Sequence, residues 1–156
     1  MSYLINKRLS LISELKKINS MKGKPPNQVS IDQSLNDDLG GKFFKDILND
    51  KQSMIFGDLS ILNPEAFHYY LFDLLEYSLI DKKLPSLFSM FIISLSKDSV
   101  SFDDRLNLLT EDEKKIVCKY FQYIFAYINS SKDIDAIVLN EDYSEEIKEL
   151  VSFWCI

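Results

Sequence analysis

Apolar residues recur along this chain at steps of three and four and almost nowhere alternate, which is the period of helices rather than strands. Leu4, Ile5, Leu9, Ile12, Leu15 and Ile18 place a helix over residues 3–19, with Lys7, Lys16 and Lys17 off that stripe. Gly23 and the Pro25-Pro26 pair end it. Ser30 or Asp32 then caps a short helix carrying Ile31, Leu35 and Leu39, which Gly40-Gly41 breaks. Phe43, Phe44, Ile47 and Leu48 restart a helical face to about Asp50. Residues 52–62 read either as an extended piece or as a helical turn, and Gly57 argues against a long helix through them.

The segment Asn63 to Ile80 carries the strongest signal. Asn63 is placed as N-cap, Pro64 takes the favoured first helical position, and Glu65 complements the positive end of the helix dipole. Phe67, Tyr70, Leu71, Leu74 and Ser78 line one side, and Tyr69, Phe72, Leu75 and Leu79 another. A helix apolar on so many sides belongs inside a bundle. Leu84 and Pro85 lead into a further apolar helix, Ser86 to Leu95, and the polar stretch from Ser96 to Asn107 reads as a loop. Thr110 and Glu113 have the spacing of a capping box for a helix to about Asn129, with a core stripe of Ile116, Val117, Tyr120, Phe121, Ile124, Phe125 and Ile128. Ser130 to Asp142 reads as a connection, and Ser144, followed by two glutamates, as the start of a last helix through Trp154. The pattern therefore predicts an all-α fold: one compact domain, residues 1–156, of five to seven helices around the Asn63–Ile80 helix.

Composition supports this. Only four glycines and four prolines occur in 156 residues, and 46% of positions are apolar against 27% charged. A chain of this length buries roughly 70% of its unfolded surface without disulfides. Cys118 and Cys155 are too few for a disulfide framework and read as reduced thiols of a cytoplasmic protein. Asp73 and Glu76 interrupt the best candidate for a membrane span, and the N-terminal stretch lacks the features of a signal peptide.

Net charge is −6 and uneven: residues 1–24 carry +5, leaving −11 for the rest. The basic start is an amphipathic helix of a kind that can bind a membrane or a partner groove, and it reads here as packed on the domain with its lysines in water. The acidic remainder repels nucleic acid.

Candidate chemistry is sparse. His68 is the only histidine. Glu65 and His68 have the i, i+3 spacing of di-iron bundles, which need a second such pair. Two distant cysteines and one histidine do not complete a closed zinc site. A Cys–His nucleophile would have to join a mid-helix Cys118 or a terminal Cys155 to His68. No glycine-rich phosphate loop is present, because Gly40-Gly41 lacks a following Lys-Ser/Thr. These features assign no catalytic, metal or cofactor residue and read His68 as a hydrogen-bonded structural residue.

What remains is surface. Tyr123 and Tyr127 lie four apart, off the strongest stripe of their helix, and tyrosines beside acids are common interface anchors. Asp103-Asp104, Glu111-Asp112-Glu113, Glu141-Asp142 and Glu145-Glu146 supply an acidic rim. The candidate partner-binding set is Asp103, Asp104, Glu111, Asp112, Tyr123, Tyr127, Glu141, Asp142 and Glu145. The competing reading makes the tyrosines half-buried core with their hydroxyls in water.

The stretch Leu62-Asn63-Pro64-Glu65-Ala66-Phe67-His68-Tyr69-Tyr70-Leu71 resembles a signature of uncharacterised small bacterial proteins, departing from it at Phe72, where those often have proline. Leu109-Thr110-Glu111-Asp112-Glu113 and the run from Tyr143 to Trp154 are similar to two further parts of that family. The resemblance brings no activity and no site residue with it. By type, small acidic single-domain bacterial proteins suggest an immunity protein that neutralises a cognate toxin with a basic face. A helical adaptor or regulatory module is the alternative, and a carboxylate- or metal-dependent enzyme a third.

Overall fold

The computed structural model describes residues 2–49, 59–80, 84–99 and 102–156. Among them are eight α-helices and no strand: α1 (Ser2–Met21), α2 (Gln33–Leu39), α3 (Phe44–Asn49), α4 (Pro64–Ile80), α5 (Leu84–Leu95), α6 (Phe102–Leu108), α7 (Glu111–Ser130) and α8 (Ile134–Trp154), with a 3-10 turn at Leu59–Ile61. The all-α fold expected from the pattern is the fold observed. Of the uncertain stretch 52–62, residues 52–58 and with them Gly57 lie outside the described part. Leu59 and Leu62 are buried.

Helix α4 forms the centre. Asn63 Oδ1 accepts from the Ala66 amide at 2.8 Å, while the Asn63 amide donates to Val29 O at 2.7 Å. The cap therefore also tethers the preceding loop. Both apolar sides of α4 are covered, with Phe67, Tyr70, Leu71, Leu74 and Leu75 all nearly inaccessible. The Tyr70 hydroxyl donates to Lys42 O at 2.6 Å, which holds the Gly40-Gly41 turn against α4. Gly41 has φ +71, a left-handed conformation that favours glycine.

Helix α1 runs antiparallel to α4, because its partners descend in number as it ascends. Arg8 Nε donates to Leu79 O at 2.9 Å, Asn19 Nδ2 to Phe72 O at 3.1 Å and Glu76 Oε1 at 3.0 Å, and Lys22 pairs with Asp73. Arg8 places a cation on the carbonyl end of α4, where the helix dipole favours it. Much of the positive charge of the basic segment is thus spent locally, and Leu11, Ile12 and Leu15 are buried while Ile5 and Leu9 face outward.

Three expectations are corrected. The stretch from Ser96 to Asn107, read as a loop for its polarity, contains α6, whose Phe102 and Arg105 are buried. The Arg105 guanidinium lies 4.9 Å from the Phe67 ring centre. This helix brings the number among the described residues to eight. Helix α8 begins at Ile134, so Ser144 is an interior residue and not a cap. Its inward face is Ala136, Leu139, Tyr143, Ile147, Leu150 and Trp154, a continuous stripe of threes and fours. Exposed Ile134, Ile137 and Val138 hide that stripe in the sequence. Finally, Cys118 and Cys155 are not separate thiols: they form a disulfide that ties the end of α8 to α7.

Helix α7 starts as its sequence indicates. Thr110 Oγ1 accepts from the Glu113 amide at 3.1 Å, and Glu113 Oε1 accepts from the Thr110 amide at 2.8 Å. Together α7 and α8 form an antiparallel hairpin through residues 131–133. One hydrophobic core runs through the assembly, from Leu11 on α1 to Trp154 on α8.

Candidate functional site

The predicted partner-binding residues are spread over three helices, α6, α7 and α8. Asp103 and Asp104 are exposed in the first turn of α6, and Glu111 and Asp112 in the first turn of α7. Glu141, Asp142 and Glu145 are exposed on α8. Tyr123 and Tyr127 sit apart from them on the last turns of α7, stacked with ring centres 6.0 Å apart. Tyr123 is buried, and Tyr127 is half-buried with its hydroxyl donating to Asp133 Oδ2 at 3.3 Å. Burial raises both phenols above the ordinary tyrosine range. For Tyr127 the Asp133 and Asp135 carboxylates raise it further, whereas for Tyr123 the Arg8 charge opposes the shift. The two rings line a groove of about 400 Å³ whose opposite wall is Leu4, Ile5 and Arg8 of α1.

A larger groove, about 620 Å³, lies between α8 and the end of α5. Its floor is apolar, from Ile92, Leu150 and Phe153, with the exposed Ile156 at its edge. Asp98, Glu145, Glu146 and Glu149 stand around it with Lys97 and Lys148, so four carboxylates face two ammonium groups. Lys148 pairs with Glu145 at 3.2 Å. Successive turns of α8 present Glu145, Glu146 and Glu149 on one side, while Leu150 and Phe153 turn toward the floor. The turn after α5, with Ser99 N bonded to Ser96 O at 3.0 Å, brings Asp98 across from them. Of the predicted acids, Glu145 alone lines this groove. Glu146, Glu149 and Asp98 complete it, and the sequence marks the first only as Glu145's neighbour.

A third cleft, about 200 Å³, contains Glu65, His68 and Glu113 beside Lys22 and Lys24. His68 Nε2 donates to Glu113 Oε2 at 2.9 Å, and the other oxygen of that carboxylate holds the Thr110 amide. His68 is therefore a hydrogen-bonded residue tying α4 to the start of α7. Lys22 and Asp73 meet at the cleft's edge. Burial lowers the Lys22 ammonium below the usual lysine range and raises the Asp73 carboxyl, in each case against the pull of the partner's charge. Desolvation outweighs attraction there.

Among the described residues, no three His, Cys, Asp or Glu side chains gather closely enough to hold a metal ion, and no helix is long and apolar enough to cross a membrane. Compared with known protein families, with curated proteins and with solved structures, the chain matches none of them.

Proposed function

We propose that this protein is a stoichiometric binder of another protein, of the immunity type, whose groove between α5 and α8 receives a partner segment bearing basic and apolar side chains. The observation that supports this is the combination of an apolar floor with an acidic rim in a concavity of about 620 Å³. Apolar side chains from the partner would cover Phe153 and Leu150, and lysines or arginines would meet Glu145, Glu146 and Glu149. Charge of this kind speeds encounter, and buried apolar contact lengthens residence. A toxin with a basic active face is the partner class that fits this reading, and the likeness of the Leu62–Leu71 stretch to small bacterial proteins belongs to the same proposal. The cytoplasmic setting expected from two free thiols does not, since disulfides persist mainly in oxidising compartments.

The test uses a fluorescein-labelled peptide of alternating lysine and leucine, followed by fluorescence anisotropy. Wild-type protein should bind it with an association rate that falls as salt is raised. Glu146→Lys with Glu149→Lys should weaken binding at least tenfold while leaving helicity intact. Equal binding by the double variant, or an on-rate indifferent to salt, rejects the groove as the docking surface.

A further inference from the structure

Cys155 caps the end of α8, directly after its last turn and between two residues of the groove, Phe153 and Ile156, and its sulfur is bonded to Cys118 of α7. The same end therefore faces the groove on one side and is fastened to α7 on the other. Both cysteines are partly buried and neither is sealed in the core. Trp154 adds a second anchor, with its Nε1 donating to Leu95 O at 3.0 Å and its ring against Phe102 and Phe153. Among the described residues, Cys155 adds to its bond with Cys118 a backbone bond to Val151 O and a weak sulfur contact to Cys118 O.

We infer that the Cys118–Cys155 disulfide is a redox clamp on the acidic groove: a dithiol reductant opens it, the last turn of α8 loosens, and Phe153 no longer holds its place in the groove's floor. This rests on the groove being the docking surface. In the exchange, one thiolate of the reductant attacks a cysteine sulfur, the S–S bond breaks, and the departing cysteine thiolate takes up a proton. The reductant's second thiolate then displaces the other cysteine from the mixed disulfide. Two electrons and two protons pass to the protein, which ends with two thiols, and the reductant ends as a disulfide. Oxidation by a disulfide-bearing partner reverses each step.

The chain's single tryptophan lies inside the clamped turn and reports its release without any ligand. Full-length protein is compared oxidised and after treatment with dithiothreitol, with Cys118→Ser/Cys155→Ser as a variant that stays open in both conditions. Reduction should shift Trp154 emission to the red and raise acrylamide quenching at least twofold with far-ultraviolet helicity retained. It should also weaken binding of the lysine–leucine peptide at least tenfold. The serine variant should behave like the reduced protein throughout. Unchanged Trp154 emission overturns the clamp, and so does loss of helicity on reduction, which makes the bridge a general stabiliser. Released tryptophan with peptide affinity unchanged overturns the gating of the groove. If the oxidised protein binds no peptide, the docking reading falls and the gating with it, whereas the Trp154 signal still decides whether the turn is released.

Discussion

The buried pair Ser78–Tyr120 joins α4 to α7, and its proton order can be assigned. Ser78 Oγ lies 2.7 Å from Leu75 O, which can only accept, so the serine's single hydrogen goes there. The Tyr120 hydroxyl, 2.7 Å from Ser78 Oγ, must then be the donor. Both residues are almost wholly inaccessible, at 2% and 0% exposure. Removing each therefore has a different consequence. Tyr120→Phe takes away one hydrogen bond and leaves Ser78 still donating to Leu75, at a loss of about 1 kcal/mol. Ser78→Ala strands the Tyr120 hydroxyl in the core with no partner, which costs about 2 kcal/mol, within the ~1–3 kcal/mol of an unsatisfied buried donor. The double variant removes the orphan as well and should be no less stable than Ser78→Ala alone. Urea unfolding followed by circular dichroism resolves this, since ~2 kcal/mol moves the midpoint by about 1 M at a slope of ~2 kcal/mol per M. A Tyr120→Phe variant as unstable as Ser78→Ala, or a strictly additive double variant, refutes the assignment.

Two further outcomes follow from the buried titratable groups. Lys22→Met leaves the Asp73 carboxylate without its partner and should cost about 2–3 kcal/mol, somewhat below the ~3–5 kcal/mol of fully buried pairs, because 20% and 14% of the two side chains remain exposed. Lys22→Met with Asp73→Leu should fall within about 1 kcal/mol of wild type. Asp73 has a folded value above its unfolded one, so its penalty is absent below the unfolded carboxylate range and sets in as pH rises through the folded value. The deficit of the single variant should therefore shrink on acidification, as urea midpoints at several pH values would show. A deficit that grows instead contradicts the sign. At the alkaline end, burial lifts the phenols of Tyr70, Tyr120 and Tyr127. Their contribution is fully present below the unfolded tyrosine value of about 10 and is lost as pH rises above it. Ultraviolet titration should show part of the eight-tyrosine signal appearing only together with loss of helicity; all eight ionising as one step near pH ~10 in folded protein would disprove this.

What the sequence disclosed was local. Asn63 as cap, Pro64 at the first position and the Thr110–Glu113 box all depend on residues within four positions of each other, and each appears in the structure with its bonds made. Helix α6 was hidden because two buried side chains, Phe102 and Arg105, are too few to impose a period on a seven-residue helix. The first half of α8 was hidden because its outward residues are as apolar as its inward ones. The disulfide joins residues 37 apart, a distance that no spacing rule for two lone cysteines predicts. The groove shows the same limit. Acids on α8 are legible, but which of them oppose Asp98 depends on how α5 ends beside α8. The sequence marks His68 as hydrogen-bonded, yet its partner Glu113 lies 45 residues away.

Asn36 shows how far one side chain can specify a loop. Its Oδ1 accepts from the Val29 amide at 2.6 Å and the Ser30 amide at 3.0 Å, and its Nδ2 donates to Gln28 Oε1 and Ser30 O, both at 2.9 Å. Two lone pairs and two hydrogens are all used. Helix α2, which holds this amide, is only seven residues long and too short to persist alone in water. The loop it organises has no regular structure of its own. Each is thus the condition for the other, and since the Asn63 amide also donates to Val29 O, the start of α4 leans on both. Loop and short helix form one cooperative unit, in which the Val29 and Ser30 amides exchange with solvent only when α2 comes apart.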